Sequence, residues 1–500
     1  MRVYALWLVV LVLSVYAWKD WYKSLCGLIV LMAVLEHKDM PRTIFDVPGL
    51  NPWNLVFFIV LIAWISRRQR ERLPWDIPKV PAILLLLGVG VLLLGAARLV
   101  VDRQHLIEEL SITEVLSDYV FNPVKWVVVG LMLFDGCRSR RRLVLGLASI
   151  LALYFLISLQ VIRWVIPSGA LHGGDLSSYT VGKLQKETGY HRNDLSTMLA
   201  GASWALLAML PLVRSMRDKI GILLASFVVL FAQVLTGGRG GYLAWCTVGL
   251  TLGLLRWRRY LVLAPLIVIL FLSLVPSAAD RALQGLTENR ETGSEEINLE
   301  DFTAGRSVLW PQVIDKIWEA PLIGYGRAAM QRTGLSAWYA AYQGASQGDE
   351  EEAYINHPHN AYLEMLLDNG VVGLLIALAL YGYLLAAALC LVRDRGGSVL
   401  LAVGGIALSL ILAQLVGSFT GQSLYPREPT VGMWCAAGLL LRVWVQRSSV
   451  SVTSSYRKRN RGPVDSADTD MQASAAENAA AFRPIQESTS WWRPGAKSSP

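Results

Sequence analysis

Long apolar runs alternate along this chain with short polar or basic connections, and the lengths of those runs predict its elements. Stretches at 81–101, 143–166, 220–235, 260–275, 361–392 and 399–416 are near or above the ~17–25 residues a helix needs to cross a bilayer. Counting every such run predicts an all-α, polytopic membrane helical bundle of twelve transmembrane helices. A thirteenth depends on the first 35 residues, where short apolar stretches at 3–17 and 25–35 flank Trp18-Lys19-Asp20. An apolar run so close to Met1-Arg2 is compatible with a signal peptide. Further spans follow directly with no small-residue cleavage site, so it is read as retained. The pattern breaks twice: residues 277–360 are largely polar and form one long, partly helical loop within a membrane domain at 1–447, and from 448 the apolar period is lost. The segment 448–500, rich in Ser, Ala, Asp, Gln and Pro, reads as a disordered tail on the side of the basic clusters.

Composition agrees with that reading. The chain is 54% hydrophobic and 17% charged, below the ~25% charged residues of soluble domains. Basic residues gather in short connections: Arg67-Arg68 with Arg70 and Arg72, Arg138 with Arg140–Arg142, Arg214 with Arg217 and Lys219, Arg256 with Arg258-Arg259, and Arg393 with Arg395. Neighbouring clusters are separated by an even number of spans, so all five share the cytoplasmic face. The loops 102–122, 167–192, 236–241, 277–360 and 418–428 then face outward. The net charge of +8 is explained by these clusters and gives no reason to expect nucleic acid as a partner. The five cysteines follow neither a disulfide framework nor a zinc spacing, and no metal site is expected.

Candidate chemistry collects on the outward loops. His357-Pro358-His359-Asn360 stands where the long polar loop meets an apolar helix, which places imidazoles at the edge of water. Helices starting near Asn193, near Tyr242 and after Asn360 all run inward, so their N-termini, with partial positive charge and free N–H groups, share the outer surface. Asn193 or Asp194 is available to cap the first of them. Gly237-Gly238-Arg239-Gly240-Gly241 precedes the second; its glycines would let backbone approach an anion, and Arg239 offers a fork for phosphate. A tight interspan turn is the plainer account of the same residues. Arg192 is either a phosphate ligand or a snorkelling interface residue, and His172 and His191 are read as structural or solvated. In the long loop, Arg306 opens a helix in which Leu309, Val313 and Ile317 form one apolar row and Trp310, Ile314 and Trp318 another. With Trp310 and Trp318 suited to the headgroup region it could lie on the membrane and shape a lid; a packed loop helix without substrate contact is the simpler reading of 311–319 and the one adopted. The acidic run at 349–352 reads as a solvated loop, and Gly370 and Gly373 as small residues for close helix packing.

His359-Asn360, nine residues, Gly370, two residues, Gly373 resembles the loop signature of bacterial O-antigen ligases, shared loosely with O-antigen polymerases and protein O-oligosaccharyltransferases. Arg192-Asn193-Asp194-Leu195, Gly238-Arg239-Gly240, and Gly305-Arg306 through Gly324-Tyr325-Gly326 follow in the family's order, so the likeness runs from Arg192 to Gly373. The resemblance implies a membrane glycosyltransferase of the bacterial inner membrane whose site faces the periplasm. It would transfer or polymerise a glycan from an undecaprenyl-diphosphate-linked donor to a glycan or lipid A-core acceptor, with membrane lipids as its surroundings and without metal or other cofactor. His359 would be the catalytic base, with an ordinary imidazole pKa near ~6.5. Arg239, Arg192 and Arg306 would hold the diphosphate, and His357 and Asn360 would support them. The rival reading is a flippase or transporter for lipid-linked sugars; a scaffold for an envelope polysaccharide complex is a third. Transport sites need ionisable groups or broken helices at mid-membrane, whereas the span centres here offer mainly Gln160, Gln233 and Gln414.

Overall fold

The computed structural model describes residues 2–34, 40–41, 43–44, 49, 51–103, 106, 110–166, 184–263, 266, 306–343, 355–394, 397–421 and 424–459. The expected span at 260–275, the acidic run at 349–352, His172, Gly305 and most of the tail fall wholly or largely outside those residues. Among the described residues the architecture is helical, with no β-strand. Its long helices are α1 (Arg2–Leu31), α2 (Pro52–Glu71), α3 (Lys79–Val101), α4 (Asn122–Gly136), α5 (Arg140–Val165), α6 (Arg192–Ala208), α7 (Met216–Leu235) and α8 (Arg239–Leu255). They continue with the loop helices α9 (Arg306–Glu319) and α10 (Leu335–Tyr342), then α11 (Ala361–Arg393), α12 (Ser398–Gly417) and α13 (Val431–Arg459). Eight described helices are long and apolar enough to cross a membrane, which makes this a multi-pass membrane protein.

Length alone would let residues 4–34 cross as a single helix, but they do not run straight. Asp20 leaves the helical region (φ −147°, ψ 85°), the Lys23 ammonium meets the Tyr16 hydroxyl at 3.3 Å, and Leu13 packs onto Gly27. In a straight helix Leu13 and Gly27 would stand about 21 Å apart at 1.5 Å per residue. The two short apolar stretches are thus the arms of a hairpin that reverses at Asp20. Its turn joins the basic end of the bundle, where Arg142 reaches Asp20 and the Tyr22 hydroxyl donates to the Arg142 carbonyl at 2.9 Å. The neighbouring Asp135 binds Arg68, Arg138 and the Trp64 indole.

The polar loop carries its own small core. Leu309, Val313 and Ile317 of α9 pack with Met330, Leu335, Tyr339 and Leu367. Of the two apolar rows expected from the spacing, only this one is buried; Ile314 and Trp318 stay exposed. This subdomain is fastened to α11 at an unusual break. Gly370 has φ +62°, and a Cβ there would overlap the Leu322 backbone. The turn segment 321–326 occupies the gap: the N–H groups of Tyr325 and Gly326 donate to the carbonyls of Leu367 and Asp368 at 2.9 and 2.7 Å, and that of Val371 to Pro321 at 2.8 Å. Gly370 is therefore a helix break filled by a loop rather than a helix-packing contact; Gly373 lies against the Asn369 side chain and Val91. Arg98 of α3 closes the arrangement by donating to the carbonyls of Ile323 and Gly324.

Candidate functional site

At the end of the bundle opposite the basic clusters, three helix starts meet around 418–420. The Ala361 N–H donates to the Ser418 carbonyl at 2.8 Å, the Asn193 side chain reaches the Thr420 carbonyl at 3.4 Å, and Gly240 abuts the Thr420 side chain. The helices starting near Asn193, near Tyr242 and after Asn360 were expected to present their N-termini together, and they do. Their N-termini differ in one respect that sequence did not reveal. His191, not Asn193 or Asp194, caps α6 by accepting from the Asn193 N–H at Nδ1 (3.2 Å). Asn360 caps α11, accepting from the N–H groups of Tyr362 and Leu363 at 3.0 and 3.2 Å. Only α8 among the three, opened by Gly238, has no side-chain cap. Its glycines also do something other than expected: Gly238 and Gly241 are filled by Ser196 and Gly240 by Thr420, so they set helix packing rather than an open anion cradle. That packing fixes the direction in which Arg239, the first residue of α8, leaves the helix.

The histidine segment is held from both sides. The Trp310 indole donates to the Pro358 carbonyl at 2.9 Å, and the Ser336 hydroxyl to the Ile355 carbonyl at 2.6 Å. His359 adopts φ +51°, a left-handed conformation that costs about 1–3 kcal/mol for a residue with a side chain and is held only where its surroundings enforce it. The rings of His357 and His359 meet edge to face at 4.3 Å, and His357 Nδ1 accepts from the His359 backbone N–H at 3.2 Å. His357 is thus committed to shaping the turn. Among the described residues no hydrogen bond engages the His359 ring nitrogens, which leaves that imidazole available.

Electrostatics brings the scattered candidates together. Burial, then the charges of Arg306, His191 and Arg192, hold the His359 pKa down at about 4. His357 is pushed further, to about 2, by burial and then by His359, Arg427, His191 and Arg306. Arg306 is itself lowered, first by burial and next by Arg239, and its Nε is buried without a hydrogen-bond partner among the described residues. His191 is lowered mainly by burial. Every one of His359, His357, Asn360, Arg192, Arg239 and Arg306 thus belongs to one neighbourhood. The ordinary imidazole pKa expected for His359 does not hold: the group is neutral throughout the neutral range and a weaker base than a free imidazole.

Two residues were missed. Arg427 donates to Asp194 Oδ2 at 2.9 Å and acts on His357, so it belongs to the same cluster. A charged residue just before a span was its signal. The second is Asp368, buried beneath the site, which accepts from Arg327 at 2.9 Å and from the Tyr425 hydroxyl at 3.1 Å. Lys125 is a further buried charge within a helix, held against Asn54 and Asn122 and 4.1 Å from the Trp126 ring centre. Gln160 and Gln233 are occupied structurally, donating to the Ala33 carbonyl at 2.6 Å and to Ser196 Oγ at 3.3 Å.

Fold and cluster together define a multi-pass helical membrane protein that gathers imidazole and guanidinium groups at one end of its bundle. Residues 224–378 match the model of a family described as O-Antigen ligase, which supports the O-antigen ligase-like superfamily for this chain. The matched stretch is less than half of the sequence; it contains Arg239, Arg306, His359, Gly370 and Gly373, and leaves Arg192 and Arg427 outside. No curated protein matches the chain.

Proposed function

We propose that this protein transfers a glycan from an undecaprenyl-diphosphate-linked donor to an acceptor hydroxyl at the periplasmic face of the bacterial inner membrane. The observation that carries the reading is the convergence of an available imidazole, His359, with Arg192, Arg306 and, beside Arg306, Arg239. The acceptor O–H proton passes to a ring nitrogen of His359 as the oxygen forms its bond to the anomeric carbon. The bond from that carbon to the diphosphate oxygen breaks, and its electron pair remains on the departing diphosphate. Guanidinium groups are suited to that developing charge because they offer forked donors in a partly desolvated setting. General-base assistance of this kind contributes about 10²–10⁴-fold. A donor diphosphate would also offset the cationic surroundings and raise the His359 pKa toward its ordinary value, so binding and base strength are coupled.

Ligation to lipid A core and polymerisation onto another repeat are both compatible with this chemistry. Buried Lys125 and Asp368 give the flippase reading some footing, yet both are held by named structural partners. The deciding experiment reconstitutes the purified protein with a labelled polyprenyl-diphosphate glycan and an acceptor glycolipid. New glycosidic product is expected from wild type and none from His359→Ala or Arg239→Ala variants that retain wild-type melting behaviour. Translocation of the donor without bond formation would overturn the reading.

A further inference from the structure

At the basic end of the bundle the helices leave a cleft of about 190 Å³ between the hairpin turn of α1, the last turns of α2 and the α4–α5 connection. Six cations line it, Lys19, Arg67, Arg68, Arg70, Arg138 and Arg142, against three carboxylates, Asp20, Glu71 and Asp135. The carboxylates are already engaged. Asp135 holds Arg68 and Arg138, Asp20 takes Lys23 and Arg142 at 3.3 and 3.5 Å, and Glu71 pairs with Arg67. Arg68, Arg138 and Arg142 also donate to the carbonyls of Leu73, Asp135 and Gly136 at 2.8, 2.9 and 3.0 Å. Lys19 and Arg70 stand exposed on the lining, and among the described residues no carboxylate answers either of them.

The cleft also joins apolar surface. On the first arm of α1, Leu11, Val15 and Trp18 recur at helical spacing and stay exposed, Trp18 to 63%, and Trp18 itself lines the cleft. On α2 the exposed Phe58 and Ile62 continue in four-residue steps to Ser66 and Arg70, both of which line it. Residues four apart share a helix face, so each apolar row runs along its helix into the cationic lining. Trp21 and Trp64, with ring centres 6.3 Å apart, form its buried side. Indole rings suit the headgroup level of a bilayer, and the gathered basic residues predict the cytoplasmic leaflet at this end.

We infer that this cleft binds the headgroup of an anionic phospholipid of the cytoplasmic leaflet, with the phosphate against Lys19 and Arg70 and the acyl chains along the apolar rows. A surplus of cations calls for a headgroup of net negative charge and disfavours a zwitterionic one. Apolar rows that reach the lining call for attached chains and disfavour a free anion. Basic pockets between membrane helices on the cytoplasmic side have the chemistry to hold such headgroups. Since α1, α2, α4 and α5 all contribute to the cleft, an occupant would tie the N-terminal hairpin to its neighbours and stabilise the folded chain.

The test is photolabelling of full-length protein in phosphatidylethanolamine nanodiscs that carry a trace of phosphatidylglycerol with a diazirine near its headgroup. Label is expected on peptides covering 11–20 and 58–73, displaced by unlabelled phosphatidylglycerol and not by phosphatidylcholine. Lys19→Gln with Arg70→Gln removes the two unanswered charges and should weaken labelling about tenfold. Both side chains are exposed, so this variant should keep the wild-type melting temperature in detergent. Arg70→Gln alone, expected to weaken labelling about threefold, serves if the pair does not fold. The control is Arg214→Gln with Arg217→Gln, an equal loss of charge at the α6–α7 connection, which should leave labelling unchanged. Added phosphatidylglycerol should also raise the melting temperature of wild type and not that of the Lys19/Arg70 variant. Neither readout requires catalysis. An equal loss in the control would reduce the effect to general surface attraction and overturn the assignment. So would label on other peptides, displacement by phosphatidylcholine, or displacement by inorganic phosphate as readily as by phosphatidylglycerol, the last marking a site for soluble anions.

Discussion

The two ends of the bundle use the same residue type for different ends. At the basic end, arginines meet carboxylates: Arg68 and Arg138 on Asp135, Arg142 on Asp20, Arg442 on Asp76, Arg447 on Asp394. At the histidine end, Arg192 and Arg306 act on the imidazole of His359, and Arg239 acts on Arg306. Opposed charges fix a structure, whereas cations set beside an imidazole lower its basicity; at this end too one arginine, Arg427, is paired, with Asp194. The first arrangement belongs to folding and topology; the second is the one the proposed transfer would draw on.

That contrast can be broken most sharply by exchanging its consequences. His359→Ala and Arg239→Ala should each lower glycan transfer by at least about 10²-fold with little change in melting temperature, measured by product formation and thermal unfolding in detergent. At the other end, Asp135→Ala leaves two arginines without their buried carboxylate. It should destabilise the protein by about 3–5 kcal/mol, read as a fall in melting temperature, while the protein that remains folded keeps wild-type kcat. Normal stability of Asp135→Ala would abolish the distinction drawn here.

Smaller effects sharpen it. Gly370→Ala forces a side chain into a left-handed conformation and against the Leu322 backbone. A loss of about 1–3 kcal/mol is expected, with faster proteolysis of segment 321–326 as the readout. The acid limb of kcat/KM should fall near pH 4–5 and not near ~6.5, because the free enzyme's His359 is held at about 4. The same depression makes the folded state bind fewer protons than the unfolded chain. The stability it contributes is therefore complete above ~6.5 and is lost as pH falls from there toward about 4. An acid limb at the ordinary imidazole value would move the base elsewhere. Least of all, Asn360→Ala removes the α11 cap and should cost about 1 kcal/mol.

Sequence alone determined the helical membrane class and, residue by residue, most of the candidate cluster. Apolar runs of bilayer length have few other ways to satisfy their backbone, and a charged residue at the start of such a run stands out from its surroundings. His359, Arg239 and Arg192 were legible for that reason, and Arg306 as the charged opening of a short helix in the polar loop. Arg427 carried the same mark but had no motif around it. The tertiary structure decided what depends on distant partners: that Asp20 turns the first apolar segment back on itself, that Gly370 opens α11 for segment 321–326, and that His191 is a cap. It also decided the protonation of His359, because burial and the nearness of guanidinium groups from α6 and α9 exist only after the chain has folded.

Local pattern can announce each charged helix start, but only packing of α6, α8 and α11 around 418–420 brings those starts within reach of one another. Hydropathy is a property of neighbours in sequence, and a cluster of imidazole and guanidinium groups is a property of neighbours in space.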